Sequence, residues 1–259
     1  MNKSKIFFDA NAESYSLENY DINKNKFMIV RLKTIIKLIE KNFKDKNINI
    51  IDMGCGSGEI AHELAKLGYK GIAFDNSKKM IEIAKKKLSK YNWEVFTENA
   101  ENTKLPSSKF DLIIASGLIE YYDNDHILLK EIKRLLKIDG HFIINVSNSK
   151  GYTTAFNSIT HFLKQNILFK FYKKNISKSN YGVINFLTRK HNINIFKDTL
   201  RSYDFQIQNE VYIGFTLFPS PFSSIFYFLT KKIDFKLENL NKTSLKYFGA
   251  SFIALCKKN

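Results

Sequence analysis

Residues Asn49 to Gly58 read Asn-Ile-Ile-Asp-Met-Gly-Cys-Gly-Ser-Gly, and the rest of the chain is arranged around them. Ile48, Ile50, Ile51 and Met53 form an apolar, largely β-branched run with turn residues directly after it. That pattern predicts a short buried strand ending in a glycine loop. Downstream, Ile60, Leu64 and Leu67 recur at helical spacing, so a helix is expected to leave the loop over Glu59 to Leu67. In such a unit the glycines let a ligand approach the backbone, and the start of the helix presents free N–H groups. The spacing Gly54-x-Gly56-x-Gly58 differs from the G-x-G-x-x-G that seats a pyrophosphate.

Asp75 ends a second apolar run, Gly71-Ile72-Ala73-Phe74, where a carboxylate can accept both hydroxyls of a ribose. Asn76-Ser77-Lys78-Lys79-Met80 then opens a further helix, with Ser77 as a plausible N-cap. With Asp52 to Gly58 and Asp75 to Met80 both in view, the chain resembles the class I S-adenosylmethionine-dependent methyltransferases. The resemblance implies S-adenosyl-L-methionine as cofactor, held by Asp52, Gly54, Cys55, Gly56, Gly58, Asp75, Asn76 and Met80. It also implies a site for the adenine after strand three. The family there usually has Gly-Asp-Ala; this chain has Asn99-Ala100, and an Asn side-chain oxygen can still accept a bond from an amino group. Ser116, at the end of strand four, joins this set. Tyr15 either touches the methionine end of the cofactor or packs under a terminal arm.

Alternation of apolar runs and helical patterns up to Asn148 predicts a doubly wound α/β sheet. The elements are a leading helix over Phe27 to Ile39, strands at Tyr69 to Asp75, Trp93 to Thr97, Phe110 to Ser116 and Phe142 to Val146, and helices between them. A helix over Phe196 to Tyr203, a strand over Phe205 to Ile213 and a last strand over Tyr247 to Cys256 follow. The family resemblance makes this one Rossmann-like sheet of seven mostly parallel strands, with the last antiparallel; the shift in composition after strand five points to a helical cap inserted there. The expected divisions are an N-terminal arm and helix (1–45), a cofactor core (46–148), a basic, aromatic cap (150–195) and the C-terminal part of the sheet with an apolar loop or helix (196–259).

The chain has 259 residues and a formal charge of +16, from 41 Lys and Arg against 25 Asp and Glu. Four of the 41 are arginine: Arg31, Arg134, Arg189 and Arg201. Heavy Lys, Asn and Ile usage is also what an AT-rich genome would produce. A basic surface favours anionic partners. Two cysteines, Cys55 and Cys256, give no metal-ligand spacing and no disulfide framework, so no metal is expected. The N-terminal apolar stretch is too short for a signal peptide, which predicts a cytoplasmic protein.

From Gly151 to Phe196 there is no acidic residue, while seven Lys and Arg alternate with Phe and Tyr. Phe156, Ile159, Leu163 and Ile167 share one helical face there. Two readings stand: a core-packed helix with solvated lysines, or a cap whose basic residues meet an anionic substrate or the inner face of a membrane. Val211 to Thr230 carries no charge, but Pro219 and Pro221 weaken a membrane-spanning reading.

Strand four ends at Ser116-Gly117-Leu118-Ile119-Glu120-Tyr121-Tyr122, at the sheet edge that faces the ligand crevice. Glu120 is the candidate general base, with Tyr121 beside it and His161 and His191 as weaker ones; Leu118, Tyr121, Tyr122 and Asn148 are candidates for the acceptor side. The Asn/Asp-Pro-Pro-Tyr/Phe run expected for amino methylation of DNA bases is missing, and neither cysteine is placed as a nucleophile for cytosine C5, so nucleic acid is disfavoured as substrate. The expectation is methyl transfer to a hydroxyl or amine of a small, hydrophobic, lipid-like or anionic acceptor. The alternative is a cofactor-fold binding module for RNA or a protein partner, without turnover.

Overall fold

The computed structural model describes residues 3–21, 25–154, 156, 188–218 and 226–259. The seven-stranded sheet has the order β3-β2-β1-β4-β5-β7-β6. β1 (Ile50–Met53) pairs in parallel with β2 (Gly71–Asp75) on one side and β4 (Phe110–Ser116) on the other. β3 (Trp93–Thr97) and β5 (Leu136–Ser147) extend the parallel set outward. β7 (Ser251–Lys258) runs antiparallel to both β5 and β6 (Phe205–Ile213). The doubly wound sheet with an antiparallel last strand is therefore the one expected from the sequence.

Position in the sheet explains composition. Every residue of β1 is buried, because strands flank it and helices cover both faces. Burying Ile50, Ile51 and Met53 stabilises by roughly 1.5–3 kcal/mol each, and all three are fully covered. One face packs α2 (Lys26–Asn42) and α3 (Glu59–Lys66) through Ile35, Ile39, Ile60 and Leu64. The opposite face packs α5 (His126–Leu135) and α6 (Ile193–Ser202) through Leu128, Ile132, Phe196 and Leu200. α4 (Lys78–Leu88) starts at Ser77, whose hydroxyl accepts a bond from the Met80 N–H, as its position predicts.

Some element ends differ from the expectation, for local reasons. β5 begins at Leu136, not Phe142, because Leu136 already pairs with Phe110. The Asp139-Gly140 turn is absorbed as an irregularity, with Asp139 at φ 61°. β7 begins at Ser251 because Ser244–Phe248 forms a 3-10 turn instead of extending the strand. The uncharged run is split between β6, a turn at Gly214 and α7 (Tyr227–Leu237).

Two tertiary ties fix the ends of the fold. Lys26 is 4% exposed; its ammonium donates to the carbonyls of Phe215 and Asp234, both at 2.6 Å, and pairs with Glu238 at 2.5 Å. All three of its protons are thereby used. After β5 the chain leaves past Asn148 and is met again at His191: His191 N–H donates to Ser147 O at 2.8 Å, and Ser149 N–H to His191 O at 2.9 Å. Most of the predicted cap, including Ile159, His161, Leu163, Ile167 and its lysines from Lys164 to Lys178, lies outside the described residues. Among the described residues, no helix is long and apolar enough to cross a membrane.

Candidate functional site

A cavity of about 1000 Å³, counted with its solvent-facing mouth, opens at the carboxyl ends of β1, β2 and β4. Its floor is the glycine loop. The loop turns because Gly54, Gly56 and Gly58 all have positive φ, a region most L residues avoid. Gly54 and Cys55 donate their N–H groups to Phe74 O, which binds the loop to β2. Gly58 ends the turn; a Cβ there would lie 3.0 Å from the Ala84 methyl, so it lets α3 approach α4. Gly56 differs: a Cβ added to it would meet nothing within 4 Å and would project into the cavity it lines.

Asp75 sits beside this loop, held from two sides. The Gly56 N–H donates to one carboxylate oxygen at 3.0 Å and the Ser77 N–H to the other at 2.9 Å. Desolvation raises its pKa, and these backbone donors oppose the rise. Asp52, at the end of β1, is 2% exposed, and the Ala61 N–H donates to it at 3.2 Å. Burial, with help from the negative charges of Glu59 and Asp75, pushes its pKa up to about 7, while Ala61 and Arg31 pull the other way.

The walls come from elements distant in sequence. α1 (Lys3–Asn19) lies over the glycine loop and the start of α4: Ser77 Oγ donates to Asp9 at 2.6 Å, and Ser16 Oγ donates to Glu59 at 3.2 Å. Phe8 on α1 meets Tyr15 and Tyr121 edge-on, each at 5.5 Å between ring centres. Ser4, Phe8, Tyr15 and Tyr20 thus line the cavity together with the residues after β4. Arg31, from α2, reaches the same space, with its Nη2 3.5 Å from the Tyr20 hydroxyl. It makes no ion pair among the described residues. Burial pushes the hydroxyl pKa values of Tyr15, Tyr20 and Tyr121 up, so these groups are neutral polar contacts. Gly117, at φ 65°, admits the arginine; a Cβ there would lie 2.8 Å from Arg31 Nη1.

Of the residues singled out in the sequence, Asp52, Gly54, Cys55, Gly56, Asp75, Asn76, Met80, Ala100, Ser116, Tyr15, Leu118, Glu120, Tyr121 and Tyr122 all line the cavity. Four others do not. Gly58 lies behind the loop. Asn99 is exposed and bonds locally with Glu101, while its neighbours Glu98 and Ala100 face the cavity. Asn148 is buried elsewhere and donates to Tyr247 O and Gly249 O, both at 2.9 Å. His191 is also buried away from the cavity, against Asp125 at 3.0 Å. Arg189 donates to Asp125 and to the carbonyls of Ile119 and Tyr122, so Arg189 and His191 together fix the loop that carries Leu118 to Tyr122. Sequence reading missed Arg31, Tyr20 and Glu59.

Among the described residues, the lining carries five carboxyl groups (Asp52, Glu59, Asp75, Glu98 and Glu120) and one cation, Arg31, inside a protein of charge +16. Glu59 is also paired with Lys87 at 2.5 Å. Ser116 Oγ is buried in the wall with no hydrogen-bond partner among the described residues. A ligand with cationic centres, one carboxylate and a vicinal diol matches this set. S-adenosylmethionine, with a sulfonium, an ammonium, a carboxylate and a ribose, is such a ligand.

One consequence can be measured. Between about pH 4 and pH 7, Asp52 in the free protein holds a proton that the unfolded chain releases, so the stability it confers is fully present below about pH 4 and is lost as pH rises to about 7. A ligand cation placed beside Asp52 favours the carboxylate, so binding at pH 6 should release close to one proton (~1). Calorimetry in buffers of different ionisation enthalpy reads this number. Asp52→Asn should reduce the release to near zero, and equal release in both proteins would mean that another group titrates.

Residues 51–144 match the family described as Methyltransferase domain. The chain is 31% identical over 150 residues to a ubiquinone biosynthesis O-methyltransferase of Pelagibacter ubique, covering 54% of this chain and 62% of that one. It is 30% identical over 142 residues to a malonyl-[acyl-carrier protein] O-methyltransferase of Bacillus cereus, covering 54% and 51%. The match thus spans about half to two-thirds of each relative's length. Among solved structures, magnesium protoporphyrin IX methyltransferase from Synechocystis, with bound SAH, superposes with a TM-score of 0.67 over 99% of this chain and 98% of that one, at 13% identity. From the glycine loop to β5 the chain thus matches a methyltransferase domain, and the whole of it shares the fold of the class I S-adenosylmethionine-dependent methyltransferases.

Proposed function

We propose that the protein is an S-adenosylmethionine-dependent methyltransferase acting on a hydroxyl or amine of a small acceptor. The observation that carries this reading is Asp75. Its carboxylate is aligned by two backbone N–H groups at the edge of a glycine loop that is open on its ligand side. Asp75 would accept the ribose hydroxyls, Gly56 would let the amino-acid end of the cofactor pass the backbone, and Arg31 would pair with its carboxylate. Asp52 and the unpartnered Ser116 Oγ would face its ammonium and polar edge. When bound, the cofactor supplies a methyl group already activated on sulfur. The chain's own task is then to align an acceptor lone pair and exclude water, which positioning alone can make fast. α1, with Phe8 and Tyr15 over the cavity, is suited to the exclusion.

The acceptor is proposed to be hydrophobic, in keeping with Leu118, Tyr121, Tyr122 and Phe8 on the wall after β4. The relatives named for ubiquinone biosynthesis and for malonyl-acyl-carrier protein support small or carrier-bound acceptors. Isothermal calorimetry with S-adenosylmethionine tests the cofactor; transfer of a labelled methyl group to fractionated cell extract tests the acceptor. Absence of cofactor binding would remove the reading altogether.

Glu120 lines the cavity while one of its oxygens accepts a bond from the Ser147 N–H. As a general base, its loss should lower kcat by about 10²–10⁴. Glu120→Gln separates the roles, since glutamine keeps an acceptor for Ser147 but cannot take a proton at neutral pH. A large fall in kcat with unchanged thermal stability is expected. Retained kcat would leave Glu120 as a support for β5 only.

A further inference from the structure

Helix α7 is built inside out. Its polar residues Thr230 and Asp234 are buried at 5% and 1% exposure, while Phe228 and Leu229 are 92% and 73% exposed. The helix cannot roll to correct this. Asp234 accepts a bond from Thr230 Oγ1 at 2.9 Å and another from the Leu217 N–H at 2.7 Å, and its carbonyl accepts from the buried Lys26 ammonium. The neighbouring Lys26–Glu238 pair holds the end of the helix from the same side. Turning the apolar face inward would strand Asp234 and Lys26 without partners, at several kcal/mol for each buried charge.

The outward face carries Phe228, Leu229, Lys232, Ile233 and Lys236, spaced one, three, one and three residues apart, as one stripe of a helix. The Phe226 and Phe218 rings lie 5.8 Å apart beside it, each 41% exposed. An exposed apolar helix face of this kind marks an interaction surface. Its charges select the occupant. The carboxylates of α7 and its end, Asp234 and Glu238, both point inward, and the charged residues left on the stripe are lysines. A second copy docked through a two-fold axis would set lysine against lysine. A bilayer with acidic headgroups accepts the phenylalanine and leucine side chains between its lipids and pairs the lysines at its surface.

We infer that α7 is a membrane-surface docking helix, which lies on an anionic bilayer through Phe228, Leu229 and Ile233 with Lys232 and Lys236 at headgroup level. The inference is independent of the methyl-transfer reading. It requires no membrane-spanning segment, and it gives a hydrophobic acceptor a surface from which to be taken.

The test is co-flotation of the full chain with vesicles of equal parts phosphatidylglycerol and phosphatidylcholine, beside vesicles of phosphatidylcholine alone. Calorimetric titration of S-adenosylmethionine on the same samples controls for the fold. Binding to the acidic vesicles is expected at low salt and should weaken as salt rises, because exposed charges are screened within about 10 Å at 0.1 M. Phe228→Ser with Leu229→Ser should lower vesicle affinity at least about tenfold. Lys232→Gln with Lys236→Gln should lower it by about fivefold per lysine and flatten the salt dependence. Cofactor affinity should be unchanged in both, since exposed sites away from the core are being altered. Failure of the wild type to float with acidic vesicles overturns the inference, as does unchanged flotation of the Phe228/Leu229 variant. A concentration-dependent dimer that this variant abolishes, without vesicle binding, would assign the face to a second copy and also overturn it.

Discussion

Replacing Asp75 by alanine is expected to weaken S-adenosylmethionine binding by roughly 2–4 kcal/mol, about 30- to 1000-fold, the order of one or two hydrogen bonds to a charged acceptor. The local geometry argues for the upper part of that range. The same carboxylate that would hold the ribose also anchors the Gly56 and Ser77 N–H groups, so alanine removes the ligand contact and the brace of the loop together. Asp75→Asn is the informative companion. It keeps one oxygen acceptor and the side-chain volume, so the loop retains part of its support while the charge is lost; an intermediate affinity is expected. Calorimetry measures all three proteins. Wild-type affinity in the alanine variant would show that the nucleoside lies elsewhere, and that the cavity beside β2 has another use.

Gly56→Val should abolish detectable cofactor binding while the sheet still forms. Two effects act together. At φ 54° a β-branched residue is strained by about 1–3 kcal/mol, and its side chain would project into the cavity that Gly56 lines. No neighbouring atom in the protein opposes a Cβ there, so the steric conflict arises only with a bound ligand. The expected signature is a melting temperature lowered by several degrees (about 2–8 °C, given the strain and chain length), with no heat of binding. Gly56→Ala should fall between valine and wild type. A valine variant that binds normally would place the cofactor away from the loop.

Much of this site could be read from the chain because its residues are consecutive and their chemistry is local. Asp52 to Gly58 and Asp75 to Met80 each lie on one strand-to-turn junction, and parallel pairing of β1 with β2 puts the two junctions side by side. Arg31 was not legible in that way. It sits in a helix whose apolar spacing identifies only the buried face, and its partners Tyr20 and Gly117 come from other segments. Composition held a usable signal, however. A chain that fills its basic positions with lysine has four arginines, and three of them make contacts for which a planar, multi-donor group is suited. Arg134 bonds Glu131, Ser107 and the carbonyls of Thr103 and Leu105; Arg189 binds the loop after β4; Arg31 enters the cavity. Arg201, on the surface beside Asp198, is the exception.

The inverted face of α7 was hidden for a different reason. The uncharged run suggested an apolar element, but which side of it faces outward depends on Lys26, some two hundred positions earlier. Asn99 shows the converse: the turn after β3 borders the cavity, yet the Asn99 side chain is exposed and Glu98 and Ala100 form the wall. A position in a motif therefore places the backbone more securely than it places a side chain.

The junction at Ser147, Asn148 and His191 bears on how the acceptor side of the cavity is held. The chain leaves the sheet at Ser147 and meets it again at His191, tied by backbone bonds at 2.8 and 2.9 Å. The returning side has a second task. The Arg189 N–H donates to Glu120 O, its guanidinium donates to Asp125 and to the carbonyls of Ile119 and Tyr122, and His191 bonds Asp125. The end of β5 and the wall after β4 therefore share one brace. A change at Arg189 or His191 is felt by Leu118 to Tyr122, while the glycine loop and Asp75 are held by separate bonds of their own.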